Sequence, residues 1–373
     1  MLLKKGWTLL GSKQPEAALQ AFDDAVAAAG GAGRALAEKA RALARLERLD
    51  AALAAYDAAL ARAPDDVAAA VERGELLARL GRRDDGLAAL AAACETNPKD
   101  PRALEAYGTA LAESRRLEEA LAVFERLVAE RPKHADGWLA KGILLWKTGR
   151  PDEGVGALDR ALELNPKLVE AYLQRALLHR EAGRYEAAYA SAQDAIQREP
   201  KAALGHLVAG EIAFDAGRPD TAFTHADKAL GANPLEAGAW RLKSRVHEGR
   251  GRPAAAAVCL GLAHLVAKEL DPALAEMDRA IGLDGKFVHA WHHKGTVLER
   301  LERADEALAC YDRALELDAR DASIWLDKGT LLFLKLGRAD DGLKCCRKAV
   351  GIEPKLWGGL PDPLKKKIDP PRW

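Results

Sequence analysis

Trp291 and Trp325 stand 34 residues apart, and Trp138 and Trp240 are separated by three times that interval. Recurrence at a fixed spacing of this size means that one supersecondary unit is used repeatedly, because a unit too small to bury its own apolar face must stack on a copy of itself. Two columns of small residues keep the same step. Gly6, Ala40, Gly74, Gly108, Gly142, Ala176, Gly210 and Ser244 form the first. Ala18, Ala52, Gly86, Ala120, Gly154, Ala188, Ala222 and Ala256 form the second. Two helices cross closely only where neither carries bulk, and a large side chain one turn away must fill the space beside the crossing. Phe22, Tyr56, Leu90, Phe124 and Leu158, one turn past the second column, are the expected fillers. Each unit therefore reads as a helical hairpin. Gly81, Gly149, Gly183 and Gly217 fall between its two helices, and Pro64, Pro98, Pro132, Pro166, Pro200 and Pro234 follow the second one.

The units "AWHHKGTVLERLERADEALACYDRALELD" from Ala290 and "GWLAKGILLWKTGRPDEGVGALDRALELNP" from Gly137 show the pattern most fully, with Trp, small residue and Tyr or Leu in both and Pro in the second. In this the chain resembles the tetratricopeptide repeat (TPR) family, from Met1 to about Pro354. The resemblance implies an all-α, right-handed superhelical solenoid of about ten to eleven 34-residue hairpins.

The period slips once. Trp240 and Trp291 are one and a half periods apart, which puts a half-repeat phase break near residues 252–272. The helix near Pro253 fits two registers. Ala256, Leu260 and Ala263 suit the second helix of one repeat, whereas Ala257 and Gly261 suit the first helix of the next, which continues into Ala273, Met277 and Ala280. Its apolar residues run all round, as in a helix buried on two sides. Either a shared or orphan helix with a change of superhelix direction or a loosely packed irregular hairpin is expected here, the first dividing the chain into an array at 1–252, a second array at 253–354 and a capping segment at 355–373. A smaller irregularity follows, since "GTLLFLKLGRADDG" carries one residue more than "GTVLERLERADEA"; it should bulge the helix end or lengthen the turn.

Lys plus Arg equals Asp plus Glu at 56 each, so no bulk basic field exists to hold nucleic acid or an anionic membrane. The five cysteines, Cys94, Cys259, Cys310, Cys345 and Cys346, make no C-x-x-C pair, so neither a disulfide framework nor a zinc-finger spacing is present. "MLLKKGWTLLGS" lacks the features of a secretory signal, and "AAAAVCLGLAHLVA" from Ala254 is too short to span a bilayer. The chain reads as cytoplasmic.

Enzymes need a nucleophile, a base and oxyanion donors converging on one pocket. No G-x-S-x-G, H-E-x-x-H or phosphate loop occurs. Asp84 with Asp85, and Asp340 with Asp341, open second helices, where carboxylates cap free amides and oppose the dipole. No catalytic residue and no cofactor are expected.

The family resemblance implies that first helices line a concave surface that takes extended peptides or partner segments. Carried over by register, the groove positions are Leu139, Ile143 and Trp146 beside Lys147, then Leu173, Leu177 and Arg180, then Leu207, Val208, Glu211 and Phe214, then Arg241 and Arg245. This is an apolar stripe with a basic margin, of the kind that marks a partner site. Nearer the N-terminus the same positions hold mixed charges such as Glu38, Arg41, Glu72 and Glu75, which read as a solvated face. Family members that clamp a C-terminal carboxylate use Lys and Asn, where this chain has Ala37 and Arg41 or Val71 and Glu75; a chaperone-tail receptor is not expected. His289, His292 and His293 fall on the groove side of their helix, with Asp327 corresponding to His293 one repeat on. Two histidines at i and i+4 can share a metal with a third ligand from the next helix. Groove histidines that hydrogen-bond or meet a partner are commoner, so the set is named as a candidate and no metal is expected.

Solenoids need capped ends. The N-terminal "MLLKKGW" begins inside a first helix with no capping residue, so either a preceding segment completes this end or it meets a partner or another copy of the chain. In "KLWGGLPDPLKKKIDPPRW" Leu364 and Ile368 are spaced to cover apolar surface while Lys365, Lys366 and Lys367 stay wet, with Trp357 and Trp373 as anchors. Together these readings describe a non-catalytic scaffold that binds a peptide or partner segment in its groove. The alternatives are a structural protein that self-assembles through its ends into a filament or shell, and a regulatory or docking subunit of a larger enzyme complex.

Overall fold

Segments rich in Ala, Leu, Glu and Arg, all good helix formers, alternate with connections of three or four residues, and each such segment is an α-helix. The computed structural model describes residues 1–370, which leaves Trp373 outside; among these residues there is no strand. Two compact units are present, Met1–Leu178 and a second beginning at His179. The first contains the hairpins α1 (Leu2–Gly11) with α2 (Pro15–Ala28), α3 (Gly33–Arg45) with α4 (Leu49–Arg62), α5 (Val67–Arg79) with α6 (Arg83–Thr96), α7 (Pro101–Glu113) with α8 (Leu117–Glu130) and α9 (Ala135–Lys147) with α10 (Pro151–Leu164). The unit boundary falls within α11 (Val169–Glu181). The second unit holds α12 (Tyr185–Arg198), α13 (Ala203–Asp215) with α14 (Pro219–Ala232), α15 (Ala237–Gly249), α16 (Pro253–Val266), α17 (Leu270–Leu283), α18 (Val288–Arg300) with α19 (Ala304–Leu317), and α20 (Ala322–Leu334) with α21 (Ala339–Ile352).

In the first unit the small columns lie at the crossings. A Cβ added to Gly6, Gly74, Gly108 or Gly142 would come within 2.6–2.9 Å of Phe22, Leu90, Phe124 or Leu158 respectively. These fillers, and Tyr56, are at most 3% exposed. The second unit departs from the pattern at α12 and α14, where Ala192 and Ala226 take the filler position, and Leu242 of α15 closes on Gly210 instead, 2.7 Å from its Cβ position.

The expected two-sided helix is α16. On one face the Ser244 hydroxyl donates to the Ala256 carbonyl at 2.8 Å, making α16 the second helix to α15. On the other, a Cβ at Gly261 would lie 2.7 Å from Met277, making α16 the first helix to α17. The step then resumes at Gly295 and Gly329, filled by Tyr311 and Cys346. The extra residue of the last repeat lengthens the turn: α20 keeps its 13 residues, and Lys335–Arg338 make a connection one residue longer than Leu301–Arg303.

Helix termini correct one expectation. Second helices are not capped by their acidic pairs, because an arginine holds the N-cap position and makes no cap hydrogen bond at Arg82, Arg116, Arg150, Arg303 and Arg338. It pairs instead with the carboxylate three residues on, as from Arg116 Nε to Glu119 Oε1 at 2.7 Å, while that carboxylate faces the helix dipole. Side-chain caps belong to first helices, where Asp66, Asp100 and Asp321 accept backbone amides.

A second recurring device ties most hairpins to the next. A cation on a first helix meets a carboxylate 16 residues earlier on the preceding second helix: Lys39 with Asp23, Arg73 with Asp57, Lys141 with Glu125, Arg175 with Asp159, Lys243 with Asp227, Lys294 with Asp278 and Lys328 with Asp312. This charged column keeps the repeat spacing in the sequence, interrupted at Tyr107 of α7 and Ala209 of α13.

At the C-terminal side a 3-10 turn (Pro354–Gly359) leads to the one-turn helix α22 (Asp362–Lys365). Leu364 and Ile368 are buried against Leu343, Cys346 and Val350, and the Trp357 indole donates to the Ile368 carbonyl at 3.1 Å. All five cysteines are buried thiols. Among the described residues no helix is long and apolar enough to cross a membrane.

Candidate binding surface

The first helices carry the positions read as a groove, and packing divides those positions into three classes. In the first unit Leu139 and Leu173 are buried, Ile143, Trp146 and Leu177 are half-buried, and Lys147 is exposed. In the second unit Leu207 and Val208 are buried, Glu211 and Phe214 are half-buried, and Arg241 and Arg245 are exposed. The half-buried class is the part of the stripe that a partner can touch.

Around Phe214 the charges are organised rather than merely mixed. Arg180 reaches from α11 to Glu211 Oε2 and Asp215 Oδ2, each at 2.6 Å. Arg245 of α15 bonds the other Asp215 oxygen at 3.2 Å and lays its guanidinium 4.2 Å from the Phe214 ring centroid. Single surface pairs contribute little, but a network shared by three helices fixes the side chains that compose it. Asp215 is not among the residues expected from register, although it stands one turn after Glu211 on the same face.

The mixed charges of the N-terminal repeats neutralise one another. Arg41 Nε bonds both Glu72 oxygens at 2.7 and 2.8 Å and its Nη1 bonds Glu38 at 2.7 Å. The Tyr56 hydroxyl donates to Glu72 at 3.0 Å, and the Trp7 indole donates to Glu38 at 2.9 Å. Burial, then the Glu72 charge, push the Tyr56 hydroxyl far above its ordinary value, so it acts only as a donor.

The histidine cluster is brought together only in part. Asp327 meets His292, at 2.8 Å from Nε2, and not His293 to which it corresponds in register. The His293 ring stacks on His292 at 5.0 Å, and burial followed by the neighbouring rings lowers its basicity. His289 and His293 have ring centroids 6.4 Å apart, and His289 is exposed. Among the described residues no three His, Cys, Asp or Glu side chains converge as a metal site, so the candidate set His289, His292, His293 and Asp327 does not assemble.

The tetratricopeptide repeat family model matches residues 3–67, 71–135, 139–203, 173–234, 207–260 and 293–356, which is most of the chain. The chain belongs to the tetratricopeptide repeat family. This TPR protein is similar in fold to a solved tetratricopeptide repeat protein from Parabacteroides merdae, at 19% identity and a TM-score of 0.52, covering 68% of this chain and 93% of that one. YrrB, described as a TPR protein with an unusual peptide-binding site, aligns at 22% identity and a TM-score of 0.42 over 49% of this chain and 95% of its own. A thermophilic TPR protein of Thermus thermophilus aligns at 25% identity and a TM-score of 0.40 over 49% and 98%. No curated protein matches the chain. Membership of the TPR family gives the general role, a scaffold for protein interaction.

Proposed function

We propose that this TPR protein is a non-catalytic scaffold that holds an extended or helical segment of another protein on its first helices. Contacts in the first unit come from Ile143, Trp146 and Leu177 beside Lys147, and in the second from Phe214 with Arg180, Glu211, Arg241 and Arg245. Leu139 and Leu173 are packed on the same helices in the first unit, and Leu207 and Val208 on the same helix as Phe214 in the second. The observation that supports the reading is the set of large apolar side chains left half-exposed at equivalent first-helix positions, because apolar surface grouped on one face marks a partner site where scattered exposed residues do not. The array at 1–252 and the array at 253–354 are proposed as separate functional divisions joined at α16, with 355–373 closing the second.

The test is capture from the native lysate with intact protein beside the Trp146→Ala, Phe214→Ala variant, bound proteins being identified by mass spectrometry. A specific partner retained by the intact bait and lost by the variant supports the reading. Retention of every specific partner by both baits at unchanged affinity rejects it.

A further inference from the structure

Six first-helix positions at the repeat spacing form an aromatic column broken once: Trp138, Tyr172, His206, Trp240, Trp291 and Trp325. The four indoles do one job. Each donates its N–H to the carbonyl six residues back, Trp138 to Pro132 at 3.0 Å, Trp240 to Pro234 at 3.4 Å, Trp291 to Gly285 at 3.0 Å and Trp325 to Ala319 at 2.9 Å. Each ring also lies under a lysine three residues on, with Lys141, Lys243, Lys294 and Lys328 at 5.3–5.8 Å from the ring centroids.

At α13 the lysine and its carboxylate are replaced, while the His206 imidazole keeps the hydrogen bond to the backbone of the residue six positions back, Pro200. Ala209 stands where the lysine would be, and Gln193 stands where its carboxylate partner would be. The imidazole of His206 is drawn inward, only 7% exposed, with Nδ1 at 3.2 Å from His225 Nδ1. His225 in turn takes the Tyr189 hydroxyl at 2.8 Å from its Nε2. Held between His225 and the Pro200 backbone, the smaller His206 ring fills only part of the place that an indole occupies elsewhere. A cleft of about 680 Å³ lies there, lined by Ile196, Pro200, Lys201, His206, Lys228 and Ala232. Pro200 is the counterpart of the carbonyl-bearing Pro132 and Pro234. Lys201 and Lys228 are exposed, and among the described residues neither is paired with a carboxylate.

We propose that this slot receives the aromatic side chain of a partner segment that carries carboxylates beside it. The shape argument comes from the chain itself, which places an indole at this position in four other repeats. The charge argument comes from the two uncompensated ammonium groups at the rim, which favour an acidic neighbour over a basic one. Burying an aromatic ring against Ile196, Pro200 and Ala232 supplies the attraction, and the lysines select the context. The site is separate from the first-helix stripe around Phe214 and does not depend on it.

The probe is the acetylated and amidated peptide EDWDE, titrated into the full chain by calorimetry beside EDADE, KRWRK and free N-acetyltryptophan. EDWDE is expected to bind, with EDADE, KRWRK and the free amino acid each about tenfold weaker or undetectable. His206→Trp fills the slot from within and should abolish EDWDE binding while the melting temperature holds or rises. Lys201→Glu with Lys228→Glu changes only exposed side chains and should weaken EDWDE about tenfold even if the His206 variant folds poorly. Absence of EDWDE binding, equal binding of EDADE or KRWRK, or full binding by either variant overturns the site. Free N-acetyltryptophan binding as tightly as EDWDE overturns the partner segment as the source of the ring.

Discussion

Gly154 and Gly142 face each other across the α9–α10 crossing so closely that a Cβ on Gly154 would lie 2.9 Å from the Gly142 carbonyl oxygen and 2.9 Å from Leu178. One of those neighbours is backbone within a helix and cannot retreat. Gly154→Val is therefore expected to lower stability by about 2–3 kcal/mol, read by urea unfolding, despite the better helix propensity of valine. Such positions were legible in the sequence because the steric rule acts on one residue per repeat at a constant interval. The histidine pair was not, because His206 and His225 lie 19 residues apart on different helices and only the packing of α12, α13 and α14 joins them. Their chemistry has its own signature. Burial, then the charges of His206 and Lys228, hold His225 down at about 4 against an ordinary 6.5. The folded chain thus binds fewer protons than the unfolded one between those values, so stability is complete above pH 6.5 and falls as pH drops towards 4, by about 3 kcal/mol for this group alone. Comparing unfolding at pH 7.5 and 4.5, the His225→Leu, Tyr189→Phe variant should lose about 2–3 kcal/mol less on acidification than the parent. An equal loss in both would mean that the pair does not titrate in this window.

At the scale of the element, α16 is what makes the chain more than a run of identical units. In an ordinary second helix one face packs and the other meets water: Asp227 of α14, one period before Gly261, is exposed and pairs with Lys243 at 2.7 Å. In α16 the same position is a buried glycine against Met277 and the Ala273 carbonyl. Gly261→Leu is accordingly expected to cost about 2–3 kcal/mol, whereas Asp227→Leu should cost about 1 kcal/mol or less, the value of an exposed ion pair. Similar costs at the two positions, measured by chemical denaturation, would mean that α16 packs on one side only. The double register of α16 could be read from the sequence because Ala256 and Gly261 each continue a column already established on either side of the break. The arginine clamps could not be, for the opposite reason. Acidic residues in a first turn satisfy the helix dipole whether or not they cap, and their spacing alone does not say which partner they take.

For the whole molecule the consequence of repetition is that contacts are made between neighbours in sequence, so stability approximates a sum of hairpin and interface contributions. Each unit has several local cores rather than one. The first contains a cluster around Phe22, Tyr56 and Leu76 and another around Leu90, Phe124 and Leu145, both built from adjacent hairpins. A perturbation should then be felt by the hairpins beside it and fade along the array, unlike a globular domain, where one cavity weakens every element together. Hydrogen exchange on Gly154→Val tests this within the first unit. Amides of α9 and α10 are expected to lose most of their protection, those of α7 and α8 part of it, and those of α1–α4 almost none. Uniform loss from α1 to α10 would show that the unit unfolds as one cooperative body and that nearest-neighbour additivity fails for this array. The same logic explains why a single substituted repeat such as the one containing His206 can be remodelled without cost to its distant neighbours. Within a repeat array, a site that departs from the consensus needs compensation only from the helices it touches, and there Tyr189, His225 and Leu242 supply it.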